Sequence, residues 1–326
     1  MRRYIIFKIL GMIGVLLVVL LVTYAIFYIF PGDPARMSCG KPCTPANLAT
    51  ARTVMGLDAP VWQQYLEFLR GIFMGRTYGS GNAAIVCSAP CLGYSFQQNM
   101  PVTTLIVQTV PVTFSIAIGA AILWFVAGVT AGLVAALKRG RVADKAVMTV
   151  AIIGVSTPSY LLGLLSILIF GFLLNIVPVG QYVPFTQDPI QWAFHLITPW
   201  CVLAFISAAV YARLTRSQML DTLAEDYVRT ARAKGLGEFT VITRHALRNA
   251  LIPVVTLFGM DLGGLLGGAV ITERVFSMYG LGALLIGSVG TTDMPVVLGV
   301  TLLAASFIVV ANFIVDLLYK LLDPRV

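Results

Sequence analysis

The stretch Asp221-Thr-Leu-Ala-Glu-Asp-Tyr-Val-Arg-Thr-Ala-Arg-Ala-Lys-Gly-Leu-Gly237 continues through His245 to Pro253 and lies between two long apolar runs. Leu220, Leu223 and Tyr227 recur at helical spacing, and Ala231 extends that stripe by a turn. Glu225, Arg229 and Arg232 follow at i, i+4, i+7 on another face. Gly235 and Gly237 then interrupt the pattern as a C-terminal cap would. A second helical stretch with His245 and Arg248 leads into the next apolar run. The pattern predicts a short charged helix, a turn and a second helix, set between two segments of a very different kind.

Working outward, six apolar stretches cover residues 9–30, 114–137, 146–174, 192–212, 251–271 and 296–315. A spanning helix needs roughly 17–25 apolar residues. The third stretch is long and carries Pro158, which predicts a kink or a trim there. The fourth has His195 and Pro199 near its start. Hydrophobic residues make up 58% of the 326 and charged residues 11%. Ordinary soluble domains carry about 25% charged residues, so the excess of apolar side chains points to an all-α integral membrane protein with six spans. Barrel strands would alternate polar and apolar residues, and these runs do not. The run after Arg2 and Arg3 is too long for a signal peptide and reaches Pro31-Gly32-Asp33 without a small-residue cleavage pattern.

The net charge of +8 marks topology rather than nucleic-acid binding. Arg2, Arg3 and Lys8 precede the first run; Lys138, Arg139, Arg141 and Lys145 lie between the second and third. Seven basic residues from Arg213 to Arg248 lie between the fourth and fifth, and Lys320 and Arg325 close the chain. Alternating six spans puts all of them on one side, so both termini and segment 213–250 are expected in the cytoplasm. An amphipathic helix on acidic lipid would explain the bases of that segment. It would not explain Asp221, Glu225, Asp226 and Glu238 among them, nor the glycine break. Mixed charge beside an apolar stripe suits a protein groove.

The division expected is 1–30 for the N-terminus and first span, 31–100 for an extracytoplasmic segment, and 101–326 for a five-helix core. The outside segment holds Cys39, Cys43, Cys87 and Cys91. Thiols on the oxidising side favour disulfides over a zinc site, and four thiols allow three pairings. Such a segment could simply cap the outer face, or it could dock a partner. Cys201 lies within a span.

Several motifs carry a resemblance. Asp226-Tyr227-Val228-Arg229-Thr230-Ala231-Arg232-Ala233-Lys234-Gly235-Leu236, with Arg244-His245-Ala246-Leu247-Arg248-Asn249-Ala250-Leu251-Ile252-Pro253, resembles the coupling motif of ABC importer permeases. Pro31-Gly32-Asp33-Pro34-Ala35, Ser156-Thr157-Pro158-Ser159, Glu273-Arg274-Val275-Phe276, Asp293-Met294-Pro295 and the terminal Leu322-Asp323-Pro324-Arg325-Val326 extend the match in order along the chain. The general motif begins Glu-Ala-Ala; Arg229-Thr230-Ala231 stands there instead, as in the first permease subunit of oligopeptide and dipeptide importers. The gap from Gly235 to Pro253 is also longer than in sugar-type importers, whereas the four cysteines are not a general family feature.

The resemblance implies the type I importer permease architecture in a bacterial inner membrane. It implies a second, similar permease, two ATPase domains carrying ATP and magnesium, an extracytoplasmic binding protein and a peptide cargo. Asp226, Arg229, Thr230, Ala231, Arg232, Lys234 and Gly235 would couple the spans to an ATPase. A permease for nickel complexes or another small solute shares these motifs, and a homodimeric pore remains compatible with them.

The chain has no Gly-x4-Gly-Lys-Ser/Thr loop and no nucleophile elbow, so no catalytic, cofactor or metal site is expected in it. Asp261 is the deeply placed carboxylate of the fifth run. Gly259, Gly263 and Gly267 repeat beside it, widened by Gly264 and Gly268, a pattern suited to close helix packing. Asp261 reads either as a hydrogen-bonded packing residue or as a path or gate residue. Asn312 and Asp316 suit an interfacial cap or subunit contact. Two other classes fit less well: a gradient-driven secondary transporter, for which one buried acid is thin support, and a membrane-anchored sensory protein.

Overall fold

The computed structural model describes residues 2–29, 35–36, 39, 43–79 and 84–322. The motif residues at 31–34 and 323–326 lie outside the described residues, as does the side chain of Asp316.

Helix α1 (Arg2–Ile29) carries the first apolar run. Two short helices follow, α2 (Pro45–Met55) and α3 (Val61–Met74). Thr44 caps α2 by accepting from the Asn47 amide, and Gly56 ends it at φ 70°. Two small antiparallel pairs come next: β1 (Arg76–Tyr78) with β2 (Ile85–Cys87), and β3 (Tyr94–Ser95) with β4 (Met100–Pro101). In the first pair Arg76 stands opposite Cys87.

The remaining elements are helical: α4 (Val102–Leu137), α5 (Val142–Ser156), α6 (Ser159–Leu173), α7 (Pro189–Ala224), α8 (Asp226–Ala233), α9 (Glu238–Leu266), α10 (Val270–Val275), α11 (Leu281–Gly290) and α12 (Met294–Leu322). Five helices among the described residues are long and apolar enough to cross a membrane, and α5 with α6 makes a sixth if that bent pair is one span.

The expected kink in the third run is a 99° elbow between α5 and α6. Pro158 crowds the preceding residue out of the helical region, and Thr157 accordingly sits extended at φ −92°, ψ 125°. Pro158 then opens α6, which loosens into π-helical turns over Ile167–Leu173. The fourth run outgrows its expected bounds. Asp188 caps α7 by accepting from the Ile190 and Gln191 amides, and the helix continues to Ala224.

The chain divides into two compact units, 1–113 with 279–309, and 114–278 with 310–326. In the first, Val102, Ile106, Leu281, Leu284, Val296 and Val300 form a buried core. Cys87 and Cys91 are disulfide-bonded and buried with Tyr78 and Tyr94 in a smaller cluster of the same unit. Cys39 pairs with Cys43. Each bridge therefore closes a turn within its own cluster, with no bond from one cluster to the other.

In the second unit, α4 and α7 approach closely. A Cβ on Gly132 would meet the Ala212 carbonyl at 2.5 Å, and one on Gly128 would meet the Tyr211 Cβ at the same distance. Trp124, Tyr211 and Val254 are buried in the core that this approach creates.

Candidate functional site: the coupling segment and its supports

Segment 213–250 begins as the last turns of α7. The helix breaks at Glu225, whose ψ of 146° turns the chain into α8. Leu220 and Leu223 therefore belong to the end of α7, and the stripe expected to join them to Tyr227 on one helix is divided by this break. Within α8 the inward face is Val228 and Ala231, packed with Leu223 against Val241 of α9. Tyr227 is exposed, and its hydroxyl accepts from Asn249 Nδ2 at 2.8 Å.

The outward face of α8 carries charge. Asp226 and Arg229 are 3.6 Å apart and largely exposed, a pair of little energetic weight. Arg232 donates two hydrogen bonds to Glu238, of 3.1 and 2.7 Å, and so ties α8 to the start of α9. That carboxylate raises the already high pKa of the guanidinium. Between them Gly235 holds φ 77°, and its amide donates to the Arg232 carbonyl at 2.9 Å. This left-handed residue is the expected cap. Thr230 spends its hydroxyl on the Asp226 carbonyl, while Lys234 is exposed.

Span five and the second helical stretch are one helix, α9, with π-helical turns over Val241–Leu247. The fifth apolar run is therefore helically continuous with Glu238, and only the turn 234–237 separates it from α8. Phe239, in the first turn of α9, is 80% exposed. It was not singled out from sequence, although an aromatic residue among charges is a readable signal.

A second support was also not singled out. Asp144, in the first turn of α5, is buried and receives Arg216 in bidentate fashion, Nε to Oδ1 at 2.6 Å and Nη2 to Oδ2 at 2.8 Å. The Gly140 amide donates to the same carboxylate at 2.9 Å. One side chain thus holds the α4–α5 turn and α7 together, ten residues before α8. Next to α8, Ala136, Met219, Ala246 and Ala250 pack as a buried cluster from α4, α7 and α9. The available sequence signal was a lone acid among Lys138, Arg139, Arg141 and Lys145.

Asp261 stands apart from this constellation. Tyr211, rooted among Trp124, Phe125 and Phe258, donates its hydroxyl to Asp261 Oδ2 at 2.8 Å. The aspartate is nevertheless exposed. A Cβ on Gly259 would collide with Val315, and Gly263 is buried, whereas Gly264 has open space. The glycine stripe therefore splits: Gly259 and Gly263 pack within the chain, and Asp261 with Gly264 occupies the other side of α9.

In the first unit, Asp293 accepts from the Ser95 hydroxyl, which binds the β3 strand to the start of α12. Burial pushes the Asp293 carboxyl above its ordinary value, opposed by the Ser95 hydroxyl and the Val296 amide.

A charged, glycine-capped helix between two spans, in a chain with six apolar segments, is the arrangement that the sequence motifs implied. The family model for the binding-protein-dependent transport system inner membrane component matches residues 128–326, and the model for the N-terminal part of such components matches residues 1–117. The chain belongs to this family.

Relatives of this inner membrane component include a di/tripeptide transport system permease protein DppB of Pseudomonas aeruginosa, 39% identical over 94% of each chain. A dipeptide transport system permease protein DppB of Escherichia coli is 37% identical over 94% of this chain and 93% of its own. Among solved structures, a chain of the inward-facing MetNI methionine ABC transporter matches with a TM-score of 0.52 at 19% identity. It covers 68% of this chain and 97% of that one, a likeness of fold. The chain is thus a multi-pass inner-membrane permease of the ABC importer class, a transport subunit rather than an enzyme. That membership sets aside the gradient-driven and sensory readings.

Proposed function

We propose that this permease forms half of the translocation path of a bacterial ATP-driven importer for dipeptides or oligopeptides. Its partners are a second homologous permease, two cytoplasmic ATPase domains and an extracytoplasmic binding protein that delivers the peptide. The carrying observation is α8: a short helix fixed to α9 by the Arg232–Glu238 pair and by Gly235, with Asp226, Arg229 and Lys234 directed outward. Such a helix fits a groove on an ATPase, and the packing of its Val228 and Ala231 on Val241 of α9 carries ATPase closure to the spans. Peptide cargo is supported by the named cargo of the two DppB relatives. The basic residues flanking the spans favour both termini in the cytoplasm.

Asp261 faces the path in this reading. A carboxylate at the centre of a span is expensive against lipid, and its exposure on this chain leaves the path or the second permease as its neighbour. Asp261→Asn keeps an oxygen for the Tyr211 hydroxyl and removes the charge. The expected result is uptake lowered roughly tenfold, the factor carried by about 1.4 kcal/mol, with unchanged thermal unfolding. Full uptake would assign Asp261 to packing alone.

The assembly is tested by purifying the tagged chain in mild detergent and weighing the intact complex by mass spectrometry. A second permease and two ATPase domains are expected, with peptide uptake in proteoliposomes that requires ATP inside. A chain that runs alone even after crosslinking, or uptake that follows an ion gradient and ignores ATP, would overturn the proposal.

A further inference from the structure

Helix α3 follows the first span and belongs, by sequence, to a segment expected in water. Its contacts place it elsewhere. The Tyr65 hydroxyl donates to the Leu17 carbonyl of α1 at 3.2 Å, and the Tyr24 hydroxyl of α1 donates to Gln64 Oε1 at 2.8 Å. The Tyr24 and Tyr65 rings meet edge to face at 5.9 Å, and Phe68 is buried with Leu20 and Tyr24. The apolar run of α1 reaches at least Ile26. At about 1.5 Å per residue, Tyr24 lies about 3 Å and Leu17 about 14 Å further in than Ile26. Half the hydrocarbon core is about 15 Å thick. α3 therefore packs on a stretch of α1 that is surrounded by hydrocarbon.

The side chains of α3 divide accordingly. With about 100° between successive residues, Gln64, Phe68 and Gly71 form its buried side. Trp62, Leu66 and Phe73 fall on one exposed stripe, and their exposures of 65%, 53% and 81% are large for residues of this kind. Gln63, Glu67 and Arg70 fall beyond that stripe. Glu67 and Arg70 line an open cavity of about 960 Å³ together with Thr50, Thr53 and Arg76. The order around the helix is thus α1, apolar stripe, polar edge. On α1 itself Val18, Leu21 and Val22 are exposed at the same depth, so the apolar surface has the depth of the lipid-facing surface of the span.

We infer that α3 is a membrane-embedded helix of the outer leaflet, with Trp62, Leu66 and Phe73 in the lipid and its polar edge toward water. Tryptophan suits that boundary, where its ring meets the acyl region and its N–H the headgroups. The occupant of the stripe is bilayer lipid, because the helix sits at bilayer depth and carries its charge on a separate edge. The inference needs α1 to cross the membrane and the N-terminus to lie inside. It does not depend on the cargo or on ATPase docking.

The test uses the assembled importer in lipid nanodiscs. Trp62→Cys, Leu66→Cys, Phe73→Cys and Gln63→Cys are each made with Cys201→Ser and labelled with a nitroxide; the four disulfide-bonded cysteines do not react. All four native side chains are exposed, so uptake by the unlabelled variants checks that each folds. Labels at 62, 66 and 73 are expected to be relaxed more by dissolved oxygen than by a water-soluble nickel chelate, with the order reversed at 63. Chelate access at 62, 66 and 73 equal to that at 63 would overturn the inference. So would shielding of those three labels from both reagents, which would mean that another protein chain covers the stripe.

Discussion

Gly235→Val is expected to abolish most ATP-dependent uptake while the ATPase subunits continue to hydrolyse ATP. The reason lies in the backbone. Gly235 sits at φ 77° between α8 and α9, where an L side chain costs about 1–2 kcal/mol and a β-branched one more. That is a factor of about 5–30 in the population of the turn. Within this chain a Cβ at Gly235 would meet nothing within 4 Å, so crowding is not the cause. A graded series follows. Asn, which tolerates the left-handed region, should retain most uptake; Ala should lose part of it; Val should lose nearly all. Uptake and ATP hydrolysis measured together in proteoliposomes check the order. Normal transport by Val would remove the turn from the coupling mechanism. Loss by Asn equal to that by Val would move the cause to a clash with the ATPase.

The second large effect is expected at Asp144. Asp144→Ala leaves the Arg216 guanidinium without its bidentate partner and the Gly140 amide without its acceptor. The carboxylate is buried and the guanidinium about a quarter exposed, so removing one member is more damaging than removing both. The α4–α5 turn and α7 should then loosen just ahead of the coupling segment, lowering both the thermal midpoint and the uptake per ATP hydrolysed. Two further variants separate structure from charge. Asp144→Asn retains an oxygen for the Gly140 amide and should lie between wild type and Ala. The exchange of Asp144→Arg with Arg216→Asp restores opposite charges but puts a donor where Gly140 needs an acceptor. It should therefore recover little. Full recovery by the exchange would show that charge balance alone matters at this site.

Much of the fold was legible because a bilayer demands long apolar runs, and each run could be counted. The elbow was foreseen at the right residue because proline acts on its neighbour through simple sterics. The break at Glu225 was not, since neither Glu225 nor its neighbours are the glycine or proline that usually mark one. The apolar stripe drawn from Leu220 to Tyr227 assumed a continuous helix, and the inward face of α8 is instead Val228 and Ala231. The helical wheel alone separates Asp261 from Gly259 and Gly263, but spacing cannot say which side meets protein. The Asp144–Arg216 pair joins residues 72 positions apart, a distance over which local pattern carries no information. The disulfide partners were open for a different reason: spacing allowed three pairings, and the fold chose the two local ones.

The elbow between α5 and α6 also has a meaning for the solvent around it. The Thr157 hydroxyl covers the Ile153 carbonyl at 2.7 Å, but Pro158 has no N–H to offer the carbonyl one turn before it. Hydrocarbon cannot supply the missing donor, and each unpaired group there costs several kcal/mol. Ser156 and Pro158 at the corner are exposed on this chain, and Ser159 is half-buried. The corner must therefore look onto water or onto protein: Gly154 packs on Phe205 and Ala209 of α7, and the exposed side of this span is dry only where a neighbour seals it.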